Sequence, residues 1–285
     1  MDDLICYKQM PVWTTETIPP AFLKRHNTKE GTWGKLRVLA GRLKFVELDE
    51  DGNAIAEHLL TPDSGIYTIL PQQWHKIEPV GGDLRMQLEF YCDKADYFGK
   101  KYGMTATHSA LKAAMPHLPP CKALDLGCGQ GRNALYLGLL GFDVTAVDSN
   151  PSPLYALADM AAQERLPINV CTYDINSAAL DEPYGLILAT VVFMFLNPGR
   201  IPDIIKNMQD NTLSGGFNLI VSAMDTPDHP CPMPFSFTFG ENELRGYYDG
   251  WELVEYKEEL GAMHAKDAEG NPIRFKFVTM LAKKP

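Results

Sequence analysis

The sequence reads Leu124-Asp125-Leu126-Gly127-Cys128-Gly129-Gln130-Gly131-Arg132-Asn133 near its middle, a glycine-rich turn between an apolar run and a helix-like segment. Glycine lacks a Cβ, so the N–H groups of such a turn can approach a bound ligand closely. The three glycines alternate, whereas the dinucleotide fingerprint places its third glycine one position later, where Arg132 stands. Asp125 suits a ligand with an ammonium group and would repel a pyrophosphate. The turn therefore favours S-adenosylmethionine over NAD as the cofactor.

Strand and helix patterns alternate around this turn. Apolar strand-like runs lie at residues 123–126, 144–148, 168–174, 185–192 and 215–224, with helical patterns at 132–140, 154–164 and 201–209 between them. Repeated β–α units with apolar strands indicate a mostly parallel sheet covered on both faces, with the ligand at the carboxyl ends of the strands. The last two runs, 251–256 and 274–281, have no helix between them and predict an antiparallel pair joined by a long loop. Such a finish departs from dehydrogenase architecture and is a second argument against NAD.

The first third of the chain has a different pattern. Short runs of largely alternating apolar residues lie at 35–40, 43–48, 54–60, 66–70 and 84–91, separated by glycine turns such as Gly41-Arg42 and Gly81-Gly82-Asp83. Closely spaced strands of this kind predict a small all-β sandwich or barrel. We therefore expect two domains, a β-domain at residues 1–93 and an α/β domain at residues 94–285.

The β-domain has one candidate site, the segment Pro71-Gln72-Gln73-Trp74-His75, which is reminiscent of cupin barrels. Cupins hold a metal with histidines inside the barrel. This chain has no His-x-His pair, and His26 and His58 are far from His75 in sequence. We interpret His75 as a structural residue or a contact to an organic ligand, and no metal site is predicted.

The overall composition limits the possible functions. The formal net charge is −10 and the isoelectric point is about 5.2, which argues against a general nucleic-acid binder. The N-terminus shows no signal-peptide pattern, and no apolar run is long enough to span a membrane. Six scattered cysteines without a Cys-x-x-Cys pair are typical of reduced thiols. We therefore expect a cytoplasmic protein.

Three acidic residues close consecutive predicted strands of the α/β domain: Asp125, Asp148 and Asp174. The two carboxylate oxygens of Asp148 can accept both hydroxyl groups of a ribose. Asp174 can accept from an adenine amino group, with the N–H of Ile175 beside it. Aspartates in such places also cap helices. Combined with the glycine turn, the three carboxylates favour the cofactor interpretation.

Segments along nearly the whole chain match one known family. They comprise the glycine turn, Tyr97-Phe98, Thr190-Val191-Val192-Phe193-Met194-Phe195-Leu196, Pro230-Cys231-Pro232, and residues 215–224, 243–248 and 277–284. In these segments the α/β domain resembles the TehB family of tellurite-resistance methyltransferases, which have the class I S-adenosylmethionine-dependent fold, and residues 1–93 resemble the β-domain of its longer members. The predicted cofactor-binding residues are Tyr97, Asp125, Gly127, Gly129, Arg132, Asp148, Ser149, Asp174, Ile175 and Thr190.

The resemblance implies methylation of tellurite, and by extension selenite, to volatile species, with S-adenosylhomocysteine as the other product. An oxyanion needs cationic neighbours, and Gly261-Ala262-Met263-His264 matches the family's Gly-Glu-Leu-His segment. The family continues His-Arg and later Asn-Arg-Ile-Lys, whereas this chain has His264-Ala265 and Asn271-Pro272-Ile273-Arg274, so two expected arginines are missing. The predicted catalytic residues are His264, Arg245 and Arg274, and Arg132 is a further candidate cation.

A chalcogen lone pair can attack a methyl group directly, so a general base is required only if the acceptor must lose a proton. Two alternatives stay open. One is methylation of a small organic thiol or amine, and the other is a sensor that binds the cofactor without turnover. The expected partners are a small-molecule or oxyanion substrate, without nucleic acid or membrane, and homo-oligomerisation is left open.

Overall fold

The computed structural model of the chain describes residues 4–266 and 269–285, and the side chains of residues 263–266 are outside that description. The described residues form two compact units, one ending at Met104 and one beginning at Thr105. The domain division expected from the sequence, between residues 93 and 94, stays a prediction. None of the helices described is both long enough and apolar enough to cross a lipid bilayer.

The first unit consists of antiparallel strands and one short helix. Its elements are β1 (Leu4–Gln9), β2 (Trp13–Thr14), β3 (His26–Asn27), β4 (Trp33–Leu48), β5 (Ala54–Leu60), β6 (Ile66–Ile69), β7 (Trp74–Asp93) and α1 (Tyr97–Tyr102). The strands join in the order β1-β7-β4-β5, with β2 and β3 paired to β7 and β6 paired to β4. Alternate side chains of β4 and β7 are apolar and form the core, among them Leu36, Phe45 and Met86. The predicted all-β character of this region is confirmed.

Two glycines that were expected to make turns lie inside long strands instead. Gly41 has a φ of 71° within β4, and the register with β7 shifts between Val38 and Arg42. A Cβ on Gly41 would lie 2.9 Å from the carbonyl of Asp83 on the paired strand. Gly81 has a φ of 91° within β7. A left-handed residue inside a strand produces a bulge, so these glycines bend two long strands, and the turns predicted at these positions are wrong.

The second unit alternates strands and helices as the sequence predicts. Its elements are α2 (Ser109–Ala114), β8 (Lys122–Leu126), α3 (Arg132–Leu139), β9 (Asp143–Asp148), α4 (Pro151–Gln163), β10 (Ile168–Thr172), β11 (Tyr184–Thr190), α5 (Ile201–Asp210), β12 (Thr212–Ala223), α6 (Glu243–Tyr247), β13 (Glu252–Lys266) and β14 (Pro272–Lys283). Between residues 123 and 224, every predicted strand and helix is present, with ends that differ by a few residues at most.

The strands of the second unit join in the order β10-β9-β8-β11-β12-β14-β13. The pairs from β10 to β12 are parallel, while β14 runs antiparallel to both β12 and β13. The predicted antiparallel finish is therefore confirmed. The expected long loop is wrong, because the ladder between β13 and β14 continues as far as the pair Lys266 and Pro272.

The parallel strands determine where polar groups gather. Their side chains are buried on both faces, as Leu124 of β8 and Ile187 of β11 illustrate. The carboxyl ends of β8, β9 and β11 lie at one edge of the sheet, because these strands are parallel neighbours. Asp148 and Thr190 stand at two of these ends, so the sheet topology itself collects the predicted cofactor residues.

Candidate active site

The glycine turn after β8 is closed by hydrogen bonds to β9. The amides of Gly127 and Cys128 both donate to the carbonyl of Val147 at 2.8 Å. The amide of Gly129 donates to Oδ2 of Asp148 at 2.9 Å. These N–H groups therefore donate hydrogen bonds within the protein, and the expectation that they point at a ligand is wrong.

Packing explains why glycine is required in this turn. Gly127, Gly129 and Gly131 have φ angles of 78°, 54° and 81°. A Cβ on Gly127 would lie 2.9 Å from the Cβ of Val192, and a Cβ on Gly131 would lie 2.7 Å from Cδ2 of Leu157. At Gly129, no described atom lies within 4 Å of the corresponding point. Gly129 therefore leaves open space in the turn, while the other two glycines serve packing.

Asp125 is the buried carboxylate of the site. Its side chain is 2% exposed, and Oδ2 accepts a hydrogen bond of 3.1 Å from the amide of Ala134 in the first turn of α3. Its other oxygen has no donor among the described residues. Burial raises the pKa of Asp125 to about 7, although the Ala134 amide and the charge of Arg132 act in the opposite direction. An ammonium group would satisfy this carboxylate.

Asp148 stands at the end of β9 and holds two loops together. Its Oδ2 accepts from Gly129, and its Oδ1 accepts from the amide of Asn150 at 2.9 Å. The side chain is only partly buried, and each carboxylate oxygen has a second lone pair for a ligand hydroxyl. Ser149, the next residue, is exposed.

Asp174 follows β10 and caps a short 3₁₀ turn. Its Oδ1 accepts from the amide and the side-chain nitrogen of Asn176, at 2.9 and 3.0 Å. Asp174 therefore acts as a cap, as one of the two interpretations expected. Its carboxylate is exposed and can still accept further hydrogen bonds. Ile175 beside it is buried, at 5% exposure.

Asn133 is a central polar residue that the predicted site set left out. Its side chain is 3% exposed. Its Nδ2 donates to the hydroxyl of Thr190 at 2.9 Å, and its Oδ1 accepts from the amide of His108 at 3.0 Å. Asn133 thus joins the end of β11 to the segment before α2. The sequence contains one signal for this residue, because Asn133 directly follows the glycine turn at the start of a predicted helix. A side-chain amide that is buried in a helix needs hydrogen-bond partners.

Val191 carries local backbone strain. It is β-branched and has a φ of 60°, and its amide donates to the carbonyl of Val221 at 2.7 Å. Such a conformation costs about 1–3 kcal/mol and is concentrated at functional sites. The next residue, Val192, packs against Gly127. The strained turn thus places Thr190 and Val192 against the cofactor turn.

A cleft of about 650 Å³ opens beside these residues. Its described lining includes residues 105–109, Val191 just past β11, Val221 of β12 and residues 259–262 of β13. Arg132 is the one lysine or arginine among its described lining residues. The described lining thus combines apolar and polar side chains, and its charged residues are Arg132, next to the glycine turn, and Glu259.

Two of the three predicted catalytic residues do not belong to the described lining of this cleft. Arg245 is exposed on α6, with its guanidinium 5.9 Å from the ring centre of Tyr256. Arg274 is exposed on β14, where Phe277 and Thr279 line the cleft. Side chains alternate along a strand, so Arg274 lies on the opposite face of the sheet from these two.

His264 and Tyr97 are two further residues of the predicted site. His264 has its backbone in β13, and its side chain lies outside the described residues. Tyr97 belongs to the first unit, where it is buried in α1 and its hydroxyl accepts from Nζ of Lys101 at 2.7 Å. The roles assigned to both from the resemblance stay predictions.

The candidate site of the first unit is a buried histidine. His75 is 2% exposed, its Nδ1 donates to the carbonyl of Gln73 at 2.8 Å, and its ring lies 4.1 Å from that of His26 and 4.9 Å from that of Phe45. Burial lowers the pKa of His75 to about 4, so the ring is neutral at pH 7. Among the residues that the structure describes, no group of three His, Cys, Asp or Glu side chains has the arrangement of a metal site.

The family model described as "Tellurite resistance protein TehB" matches residues 90–281, and a "TehB-like domain" model matches residues 8–88. The chain belongs to the TehB family. The predicted family and the predicted fold, a class I methyltransferase domain preceded by a domain of strands, are confirmed.

Similar proteins cover most of the chain or all of it. The chain is 56% identical over 283 residues to "Probable S-adenosyl-L-methionine-dependent methyltransferase TehB" of Haemophilus influenzae, covering 99% of each chain. It is 60% identical over 247 residues to "Hemagglutinin 1" of Eikenella corrodens, covering 87% of this chain and 82% of that one. The crystal structure of TehB from Haemophilus influenzae superposes with a TM-score of 0.98 at 56% identity, over 100% of this chain and 99% of that chain.

Proposed function

We propose that this protein methylates tellurite, transferring one methyl group from S-adenosylmethionine in each turnover. As a member of the TehB family, the chain is an S-adenosylmethionine-dependent methyltransferase, and S-adenosylmethionine is its cofactor. Two points support tellurite as the acceptor: the description of the family as a tellurite resistance protein, and the guanidinium of Arg132 in the cleft. The observation that carries the proposal is the match of residues 90–281 to the tellurite resistance family.

The residues around the glycine turn fit the cofactor. Asp125 is a buried carboxylate with one oxygen left without a donor among the described residues, which suits the cofactor's ammonium group. Asp148 offers a carboxylate at the strand end for the ribose hydroxyls, next to the open space at Gly129. Asp174 and Ile175 follow the neighbouring strand, where the adenine would lie. The proposed set is completed by Tyr97, Gly127, Arg132, Ser149 and Thr190.

The reaction needs no proton transfer from the chain. When bound, S-adenosylmethionine supplies an electrophilic methyl group, whose carbon bonds to the tellurium lone pair while the electrons of the C–S bond stay on sulfur. Hydrogen tellurite thereby becomes methyltelluronic acid, and tellurium(IV) is formally oxidised to tellurium(VI). Volatile methyl tellurides then require a separate reduction, with a cellular thiol as the reductant. The apolar residues Val191, Met194 and Phe235 exclude water from the acceptor.

The setting we propose is the cytoplasm, with a small oxyanion as the substrate and neither nucleic acid nor membrane as a partner. The net charge of −10 supports the exclusion of nucleic acid. Selenite is included as a second acceptor because its selenium also carries a lone pair.

The test is the formation of S-adenosylhomocysteine by purified protein with S-adenosylmethionine and tellurite. We expect product to depend on tellurite, and volatile telluride to reach the headspace only when a thiol is added. The variant Asp148→Asn should lose cofactor affinity, and the exposed-surface variant Asp143→Asn should not. Product formation no higher with tellurite than without any acceptor would refute the proposal.

A second candidate is methylation of a small organic thiol, and one observation favours it. The cleft wall is apolar at Val191, Met194, Phe235 and Phe277, which suits an organic acceptor better than a hydrated oxyanion. A panel of thiols and amines, scored by the same product, separates the two candidates. Thiol turnover far above tellurite turnover would select the second.

A further inference from the structure

The first unit contains two histidines that lie directly opposite each other on paired strands. His26 of β3 pairs with His75 of β7, and residues that are opposite in an antiparallel pair project from the same face of the sheet. The centres of their rings lie 4.1 Å apart. β3 joins the sheet through this pair and the adjacent pair of Asn27 and Trp74. The two imidazoles are therefore in contact where β3 meets β7.

Each of the two rings is held by the same local hydrogen bond. Nδ1 of His26 lies 2.9 Å from the carbonyl oxygen of Lys24, and Nδ1 of His75 lies 2.8 Å from that of Gln73. A carbonyl oxygen only accepts, so Nδ1 carries the proton in both rings and Nε2 carries a lone pair. Desolvation lowers the pKa of both histidines, so neither lone pair is protonated at pH 7. Histidines that bind a metal through one ring nitrogen commonly donate the other N–H to a backbone carbonyl in this way.

The two Nε2 atoms lack hydrogen-bond partners within the protein. Nε2 of His26 is a buried atom without a partner, and Nε2 of His75 makes no hydrogen bond in the described part of the chain. A buried acceptor without a donor is unfavourable. The contacts of these rings with Phe22 and Phe45 explain why they belong to the aromatic core. Core packing does not explain two adjacent lone pairs without donors.

A metal ion would satisfy both lone pairs at once. Imidazole nitrogen is a preferred ligand of zinc and copper. Zn–N bonds are about 2.0–2.1 Å long, so two nitrogens that share an ion lie within about 4.2 Å of each other, and rings in contact can meet this limit. A single ion also needs less space between packed rings than an organic ligand.

A negative charge lies close to the histidine pair. Glu47 of β4 is directly opposite His75, and its charge acts on that ring. Its Oε1 accepts hydrogen bonds from Nε2 of His58 at 2.7 Å and from the hydroxyl of Tyr67 at 2.8 Å. No third His, Cys, Asp or Glu side chain completes a metal site among the residues described. The chain therefore supplies two ligands, with Glu47 as a nearby compensating charge, and water supplies any further ligand.

We propose that the first unit binds a transition-metal ion, of the class of Zn²⁺ and Cu⁺, through Nε2 of His26 and Nε2 of His75. The ion joins β3 to β7 and thereby stabilises the first unit. This site replaces the expectation that His75 is a structural residue or a contact to an organic ligand. It is independent of the methyl acceptor, because both histidines belong to the first unit.

The experiment uses the full chain, freed of metal with a chelator, and takes Zn²⁺ and Cu⁺ as the two probes. Competition with a chromophoric chelator measures affinity and stoichiometry, and X-ray absorption spectroscopy identifies the ligand atoms. The variants are His26→Gln and His75→Gln. His58→Gln is the matched control in the first unit, and His117→Gln is the control at an exposed histidine of the second. Circular dichroism confirms that each variant is folded. If His75→Gln does not fold, His26→Gln carries the test, because His26 is only partly buried.

We expect one ion of at least one probe to bind per chain, with imidazole ligands in the absorption spectrum. His26→Gln and His75→Gln should each weaken binding by more than about 100-fold, because loss of a hydrogen-bond partner outside the ligand set already costs about 10- to 100-fold. His58→Gln and His117→Gln should bind as the wild-type protein does. The ion should also raise the melting temperature of the wild-type protein and leave that of His26→Gln unchanged.

Four results would overturn the proposal. The first is that neither probe binds, and the second is that His26→Gln binds with the affinity of the wild-type protein. The third is an absorption spectrum with sulfur ligands, which would assign the ion to the cysteines. The fourth is an equally large loss of affinity in His117→Gln, which would indicate adventitious binding at surface histidines.

Discussion

The substitution Asp125→Asn is expected to stabilise the ligand-free protein above pH 7. The carboxyl group is 2% exposed, and burial raises its pKa from 3.8 to about 7. A carboxyl group whose pKa is raised in the fold opposes folding increasingly as the pH rises from about 3.8 to about 7, because the unfolded chain releases the proton first. A difference of this size corresponds to about 4 kcal/mol of unfolding free energy above pH 7. Asparagine keeps the acceptor for the amide of Ala134 and removes the charge.

Urea unfolding at several pH values measures this effect. We expect the variant to gain about 1–2 kcal/mol at pH 5 and about 4 kcal/mol at pH 8.5, since the buried carboxylate is fully ionised only at the higher pH. Asp143→Asn is the control, because Asp143 is an exposed carboxylate on the neighbouring strand β9. An equal gain at both pH values, or a loss of stability at the higher one, would refute the argument that burial of the charge is the cause.

The same substitution tests the cofactor role of Asp125. In the wild-type protein, S-adenosylmethionine affinity should rise as the pH increases from 5 to about 7, because the ligand's ammonium group needs the ionised carboxylate. In Asp125→Asn the affinity should be lower and free of this pH dependence. Calorimetry in buffers of different ionisation enthalpy should also show proton release on binding near pH 6 for the wild-type protein alone. Unchanged affinity in the variant would remove Asp125 from the cofactor site.

Two further predictions concern packing and acid stability. Gly131→Ala should destabilise the protein by about 3 kcal/mol, because the added Cβ meets Leu157 and the φ angle is left-handed, and Gly131→Ala with Leu157→Ala should recover the steric part in urea unfolding. Burial lowers the pKa of His75 from 6.5 to about 4, so the folded state loses up to about 3 kcal/mol as the pH falls through this range and the unfolded chain binds the proton first. His75→Gln should show a shallower decline of stability between pH 6.5 and pH 5, and identical slopes would contradict this explanation.

The sequence alone identified the alternating strands and helices of the second unit and its antiparallel finish. These features depend on periodic burial and on turn residues within a few positions, which are local properties. The glycine turn with Asp125 likewise indicated the cofactor, because both the turn and the carboxylate lie in one short segment. Gly41 and Gly81 were misassigned, since a left-handed glycine makes a turn or a bulge depending on a strand distant in sequence.

Only the tertiary structure decided which residues meet at the site. Asn133 bridges Thr190 and His108, partners that are 57 and 25 positions away in sequence. Three cations were predicted as catalytic and Arg132 was a further candidate, but the structure places Arg132 among the described lining residues of the cleft and leaves Arg274 on the opposite face of the sheet. The periodicity of apolar residues predicts whether a position is buried, but it does not predict which residue distant in sequence contacts it. For this protein, the local sequence determined the cofactor turn, and the packing of distant segments determined the acceptor cleft.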